Sequence, residues 1–216
     1  MDSLRLFVSV PVAGFRVAQA REFWETYPIP PPATVHGMLL SLVGESNRLT
    51  HQGAEIAVAL VSAPERSTVL RTLWRVKEAE SGPGQGSNKR PDFQELLSDV
   101  RLSVWLRRGE TEQAPSSLYD RVTAAMLSPG DVSRFGGLSL GESTHLVNEV
   151  RLWRDSDPPE GSLVLNDPQG DLSLPVWPDH VGSIGTRWGQ FRLLDRAPLP
   201  AEPPKEAWTP MRPPDA

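Results

Sequence analysis

An α+β fold of ferredoxin-like, RRM-type order is what the sequence predicts, and three observations predict it. The N-terminal segment alternates with the period of a strand, placing Leu4, Leu6, Val8 and Val10 on one face and Arg5, Phe7 and Ser9 on the other. A proline run (Pro28, Pro30, Pro31, Pro32) then feeds an apolar helical stripe of Val35, Met38, Leu39, Leu42 and Val43. Beyond it the patterns read strand, strand, insertion, helix, strand.

Residues 4–10 form a half-buried strand by that alternation. Each proline fixes its own φ and disfavours helical geometry in the residue before it, so the run is stiff and extended up to a helix at about 34–43. Thr34 is placed to cap this helix and Gly44 to stop it. Gly37 in mid-helix costs about 1 kcal/mol against alanine, which predicts the close approach of another backbone. Ile56, Val58 and Leu60 point inward from a strand over 55–61, and a further strand covers 68–77. The stretch 81–91 (SGPGQGSNKRP) interrupts the sheet, and residues 99–107 alternate again. Leu118, Val122, Ala125 and Met126 recur at helical spacing over 116–127, with Gly130 just past the end, and residues 145–153 form the closing strand. Asp167-Pro168-Gln169-Gly170 is a turn sequence, which predicts a hairpin between 163–165 and 172–174. Seven prolines in residues 197–216 predict a polyproline-like tail, disordered unless a partner holds it. The division that follows is a main domain over 1–153 with an insertion at about 78–99, a small β-rich extension over 154–196, and the Pro-rich tail.

A chain of 216 residues with 38% apolar content and seven tryptophans suits one domain with elaborations. The absence of cysteine excludes disulfides and thiolate metal sites and fits an intracellular protein. The N-terminus lacks the apolar run of a signal peptide, and no stretch approaches the about 18 apolar residues of a membrane span, so a soluble, cytoplasmic protein without membrane partners is expected. A net charge of −5 argues against a general nucleic-acid binder, but the charge is uneven. Between Arg66 and Arg108, nine cations face five acids, so any RNA would bind on a local face.

Alternation over 68–77 puts Arg71, Leu73, Arg75 and Lys77 on one face. Three cations at that spacing match the rise of a phosphate backbone, or else form a solvated strand face. In the next strand Arg101, Ser103, Trp105 and Arg107 share a face. A tryptophan between arginines either stacks a base, worth about 1–3 kcal/mol, or packs under an insertion or a neighbouring subunit. The segment from Arg134 to Ser143 (RFGGLSLGES) is either a phosphate nest built on Gly136, Gly137, Ser139, Gly141 and Ser143, or an ordinary tight connection. It is not a P-loop, because no Gly-Lys-Ser/Thr ends it. Arg16 and Arg21, after the first strand, are further candidates for phosphate contact. The four histidines (His36, His51, His145, His180) and the tyrosines Tyr27 and Tyr119 form no conspicuous acid–base cluster, and no histidine–carboxylate spacing points to a metal.

Three segments stand in order along the chain: Tyr27-Pro28 through Pro32-Ala33-Thr34-Val35-His36-Gly37-Met38-Leu39-Leu40, then Pro91-Asp92-Phe93-Gln94-Glu95-Leu96-Leu97, then Phe135-Gly136-Gly137-Leu138-Ser139-Leu140-Gly141-Glu142-Ser143. In that order they resemble the fifth Cas family of CRISPR systems, within the RAMP superfamily, and most of all its DevS-like subgroup, over about residues 4–153. The resemblance implies a RAMP-type ferredoxin-like domain whose thumb-like insertion reaches between backbone subunits and bends a guide RNA, with Lys89 and Arg90 as its contacts. It also implies that the glycine-rich segment touches RNA. The function implied is that of a non-catalytic subunit of a type I CRISPR surveillance complex (Cascade). Such a subunit caps the 5′ handle of the crRNA and docks the large subunit and the first backbone subunit, with target DNA near the PAM as a further partner and no cofactor. The complex would serve antiviral defence or RNA-guided DNA targeting, including transposition. Some members of the family cut precursor crRNA without metal, so the alternative is a metal-independent endoribonuclease resting on His36 or Tyr27.

Overall fold

β1 (Leu4–Ala13) carries the expected alternation, with Leu6, Val8 and Val10 buried. The computed structural model of the chain describes residues 3–20, 22–74, 77–179 and 185–214. Arg21, Arg75 and His180 lie outside the described residues. A short strand β2 (Phe23–Trp24) precedes α1 (Pro32–Leu42). The helix opens on Pro32 at N1, where the missing N–H costs nothing and φ is already helical. No side chain caps it, and Thr34 sits inside the helix rather than at its start. Gly44 does end it, at φ +69°, where an added Cβ would fall 2.1 Å from the Ser133 carbonyl oxygen. The backbone approach expected at Gly37 does not occur: a Cβ there would meet nothing within 4 Å.

β3 (Glu55–Leu60), β4 (Glu65–Trp74), β5 (Lys89–Arg107), α2 (Leu118–Leu127) and β6 (Glu149–Leu152) complete the main unit. The sheet order β6-β1-β5-β3 is antiparallel throughout. Val100, Leu102, Val104 and Leu106 of β5 join β1, α1 and α2 in one buried cluster. Ser117 starts α2 through a capping box with Asp120.

The strand expected over 68–77 is not a strand of that core. β5 is 19 residues long, and only its C-terminal half lies between β1 and β3. Its N-terminal half runs on past β3 and pairs with β4, from Glu65 opposite Ser98 to Trp74 opposite Lys89. β2 flanks the same half in parallel, Phe23 opposite Phe93. The result is a hairpin arm beginning at Glu65, and its base is marked by Asp99, at φ 58°.

β7 (Glu160–Asn166), β8 (Leu172–Trp177) and β9 (Arg187–Leu193) extend the sheet beyond β3. The turn at 167–170 forms, with Gly170 N–H donating to the Asp167 oxygen at 2.8 Å, but the hairpin does not. β7 and β8 both pair with β9, and Asn166 and Leu172 both sit opposite Phe191. Leu174, Val176 and Phe191 pack into the main buried cluster. The tail is not disordered over its described residues, 197–214: β10 (Ala197–Pro198) pairs with β7, and β11 (Thr209–Pro210) pairs with β3. Trp208 and Met211 anchor it as buried apolar side chains, so the chain itself supplies the partner the prolines need.

Candidate nucleic-acid interface

Two exposed segments stand side by side on the structure, the arm and the glycine-rich loop over 134–145, and Glu142 joins them. Its carboxylate accepts from Gln94 Nε2 at 2.7 Å and from Arg71 at 3.1 Å. Arg71 also donates to the Gln94 amide oxygen. Arg71 therefore braces arm against loop. Arg16 and Arg71 lie over the Trp24 ring, at 4.1 and 5.2 Å from its centroid, and Arg16 also donates to the Ala20 carbonyl at 2.7 Å.

The loop is firm at one end and open at the other. His145 Nδ1 accepts from the backbone N–H groups of Gly14 at 3.2 Å and Glu142 at 3.1 Å. That arrangement needs Nδ1 deprotonated, and burial accordingly lowers the His145 pKa. Gly141, at φ +102°, lies so close to Gly14 that a Cβ would sit 2.7 Å from the Gly14 carbonyl oxygen. Ser139 bridges to Leu146. At the open end, Arg134, Phe135, Gly136 and Gly137 are exposed, Phe135 completely so, and Arg134 donates to the Gly136 carbonyl at 3.2 Å. Ser143 is exposed as well.

The arm presents Lys77 and Lys89 to solvent. The connection between them is ordered by the buried side chain of Asn88. It accepts from the N–H groups of Lys77 (2.6 Å) and Glu78 (2.9 Å) and donates to the carbonyls of Glu78 (2.9 Å) and Ser81 (2.8 Å). Arg90 is drawn to Asp92 at 2.8 Å and to Glu22 at 3.6 Å.

The structure withdraws one group of candidates from this surface. Trp105 is 0% exposed: its Nε1 donates to the Ala201 carbonyl at 3.2 Å, and Ala207 and Trp208 pack on it. It offers no face to a base, because the C-terminal segment lies over it. Arg107 is ion-paired with Glu55 at 2.6 Å and Glu202 at 3.8 Å and sits over the Trp208 ring at 4.0 Å. Arg101 is paired with Asp99 at 2.8 Å.

Four features were not singled out from the sequence: Asn88, Glu142, the exposed Phe135, and an apolar row of Phe23, Phe93, Leu70 and Trp74 on the outer face of the arm. Register alone aligns that row, since Leu70 faces Phe93 across the hairpin. Among the described residues, no group of three or more His, Cys, Asp and Glu gathers to hold a metal ion, and no helix is long and apolar enough to cross a membrane.

No protein-family model matches the chain. It is 49% identical over 191 residues to a CRISPR-associated protein Cas5 of Myxococcus xanthus (strain DK1622), covering 88% of this chain and 89% of the relative. Among solved structures it is similar to a chain of a CRISPR RNA-guided surveillance complex, with a TM-score of 0.61 and 14% identity over 95% of this chain and 96% of the other. A crystal structure of a Cas protein gives a TM-score of 0.54 with 14% identity, covering 94% of this chain and 100% of the other.

Proposed function

This chain belongs to the Cas5 family of CRISPR-associated proteins, and from that premise we propose that it is a non-catalytic subunit of a type I CRISPR surveillance complex, Cascade. In this reading it caps the 5′ handle of the crRNA and docks the large subunit and the first backbone subunit, in the cytoplasm, with target DNA near the PAM as a neighbour. The β6-β1-β5-β3 order supports reading the core as ferredoxin-like, of RAMP type, with the arm as its thumb. The observation that carries the capping role is the exposed arm braced by Glu142 against an exposed glycine-rich loop. Together they offer Lys77, Lys89, Arg134, Gly136 and Gly137 to a phosphate backbone and splayed bases.

The groups on which the endoribonuclease alternative rests, His36 and Tyr27, are buried away from this surface, as is His51. His36 is buried in the core, where desolvation takes its pKa to about 3. His51 Nδ1 meets Glu112 at 2.9 Å with both side chains fully buried, and Tyr27 is buried as well. A metal-independent endoribonuclease would need such groups at the RNA surface. The test is nuclease footprinting of the crRNA in complexes assembled with and without this subunit, in chelator. The reading expects the 5′ handle to be protected only when the subunit is present. Equal digestion in both, or cutting of repeat RNA by the purified chain, overturns it.

A further inference from the structure

Trp74 is the most exposed of the seven tryptophans, at 72%, and it stands at the end of β4 where the hairpin turns. Its surroundings are built. Gly84, at φ +69°, lies against the five-membered part of the indole, so close that a Cβ would fall 2.6 Å from Nε1 and 2.7 Å from Cε2. Only glycine fits there, both for its φ and for the approach. Asn88 fixes the loop that carries Gly84 through four short hydrogen bonds to its backbone. The indole is thus backed on one side by an ordered loop and open on the other. Lys89 lies directly opposite Trp74 in the hairpin register, and Lys77 follows three residues on. Both ammonium groups are exposed and unpaired among the described residues, whereas Arg66, Arg71 and Arg90 are all held by carboxylates.

We propose that Trp74 is a stacking platform for one unpaired nucleobase of single-stranded RNA, with Lys77 and Lys89 holding the flanking phosphates. The inference rests on the capping reading and assigns a residue to it. A protein anchor would be served by the apolar row alone. Lys89 across the register from the ring and Lys77 three residues on, unpaired among the described residues, are complementary to phosphate, and an aromatic with cations near it is the arrangement that holds single strands without reading sequence.

The experiment uses the assembled complex loaded with synthetic repeat RNA in which 2-aminopurine replaces successive handle bases. The wild-type subunit is expected to quench one position strongly. Trp74→Ala restores fluorescence at that position alone and weakens binding of the repeat RNA by the full chain by about 5- to 150-fold, the range of one stacked base. Trp74→Phe keeps part of both effects. Lys77→Ala and Lys89→Ala each reduce the slope of log affinity against log salt by about 0.7. The melting temperature of the Trp74 variants is unchanged, since the ring is outside the core. An unaltered quenching pattern in Trp74→Ala overturns the proposal, as does an unaltered pattern with loss of a protein subunit. If the handle is footprint-protected while Trp74 is silent, the platform alone fails. If wild type neither protects nor quenches, the capping reading falls with it.

Discussion

Trp74 and Trp105 are both strand tryptophans with cations beside them, yet one is 72% exposed and the other 0%. On the outer face of the sheet the cations serve the fold. Arg5 lies between the rings of Trp105 (4.5 Å) and Trp153 (3.7 Å), where burial lowers its pKa to about 10. Arg107 is sandwiched by Trp208 and its two carboxylates, and Arg151 covers Phe7 at 4.3 Å while bonded to Asp157. The C-terminal segment closes that face. On the arm one side of the Trp74 ring is open, and among the described residues Lys77 and Lys89 pair with no acid. The same residue types therefore perform opposite tasks, and what separates them is a strap of chain nearly a hundred residues away. The antiparallel β6-β1-β5-β3 sheet carries the C-terminal segment on its outer face, and the arm and the loop are open surfaces among the described residues.

The largest expected effect is on stability. Trp105→Ala should cost about 3–5 kcal/mol in urea denaturation, as a buried aromatic in a filled site does. Trp74→Ala should stay within about 0.5 kcal/mol of wild type. Similar losses in the two variants would break the comparison.

A second effect tests how dry the interior is. The folded pKa of His36, about 3, lies below the ordinary value of 6.5, so the unfolded chain takes up a proton that the folded chain refuses. The associated stability is complete above about pH 6.5 and falls as pH drops from there towards 3. His36→Gln should flatten that acid limb in thermal melts between pH 7 and 4. An unchanged slope would show that His36 is not the group responsible.

A smaller effect belongs to the brace between arm and loop. Glu142→Ala removes the acceptor of Arg71 and Gln94, at an expected cost of about 1–2 kcal/mol, because all three side chains are partly or wholly buried and charge-assisted bonds are lost. Hydrogen exchange should quicken in the peptides over 66–74 and 90–96 and stay unchanged over β1. The smallest effect is Gly37→Ala, which enters open space on a helix and should stabilise by up to about 1 kcal/mol in the same urea titration.

Local features of the fold were legible in the sequence. The alternation of Leu4 to Val10 and the spacing of Leu118, Val122 and Ala125 each report a core-facing apolar face, which neighbouring residues alone determine, although β1 buries Phe7 on its other face as well. The features missed all depend on distant chain. β4 looks like any sheet strand in its own residues, and only its pairing with the first half of a 19-residue β5 makes it an arm. Proline content suggested a free tail, but Trp208 and Met211 decide its fate by finding the sheet. Asn88 is one of several polar residues in a glycine-rich run, and nothing local shows that four backbone groups converge on it. In the candidate interface the exposure of Lys77, Lys89 and Arg134 is what their polar sequence surroundings suggest. The ion pairs of Arg71 and Arg107 are not visible there, because Glu142 and Glu55 lie far away in the sequence; Arg90 is held both by its near neighbour Asp92 and by the distant Glu22.

Ultraviolet crosslinking of the guide RNA to this subunit in the assembled particle, mapped by mass spectrometry, tests the central claim most directly. The account predicts that the 5′ handle crosslinks to peptides containing Trp74, Lys89 and the 134–143 loop. Crosslinks confined to the closed face, at 101–107 and 201–209, would contradict it.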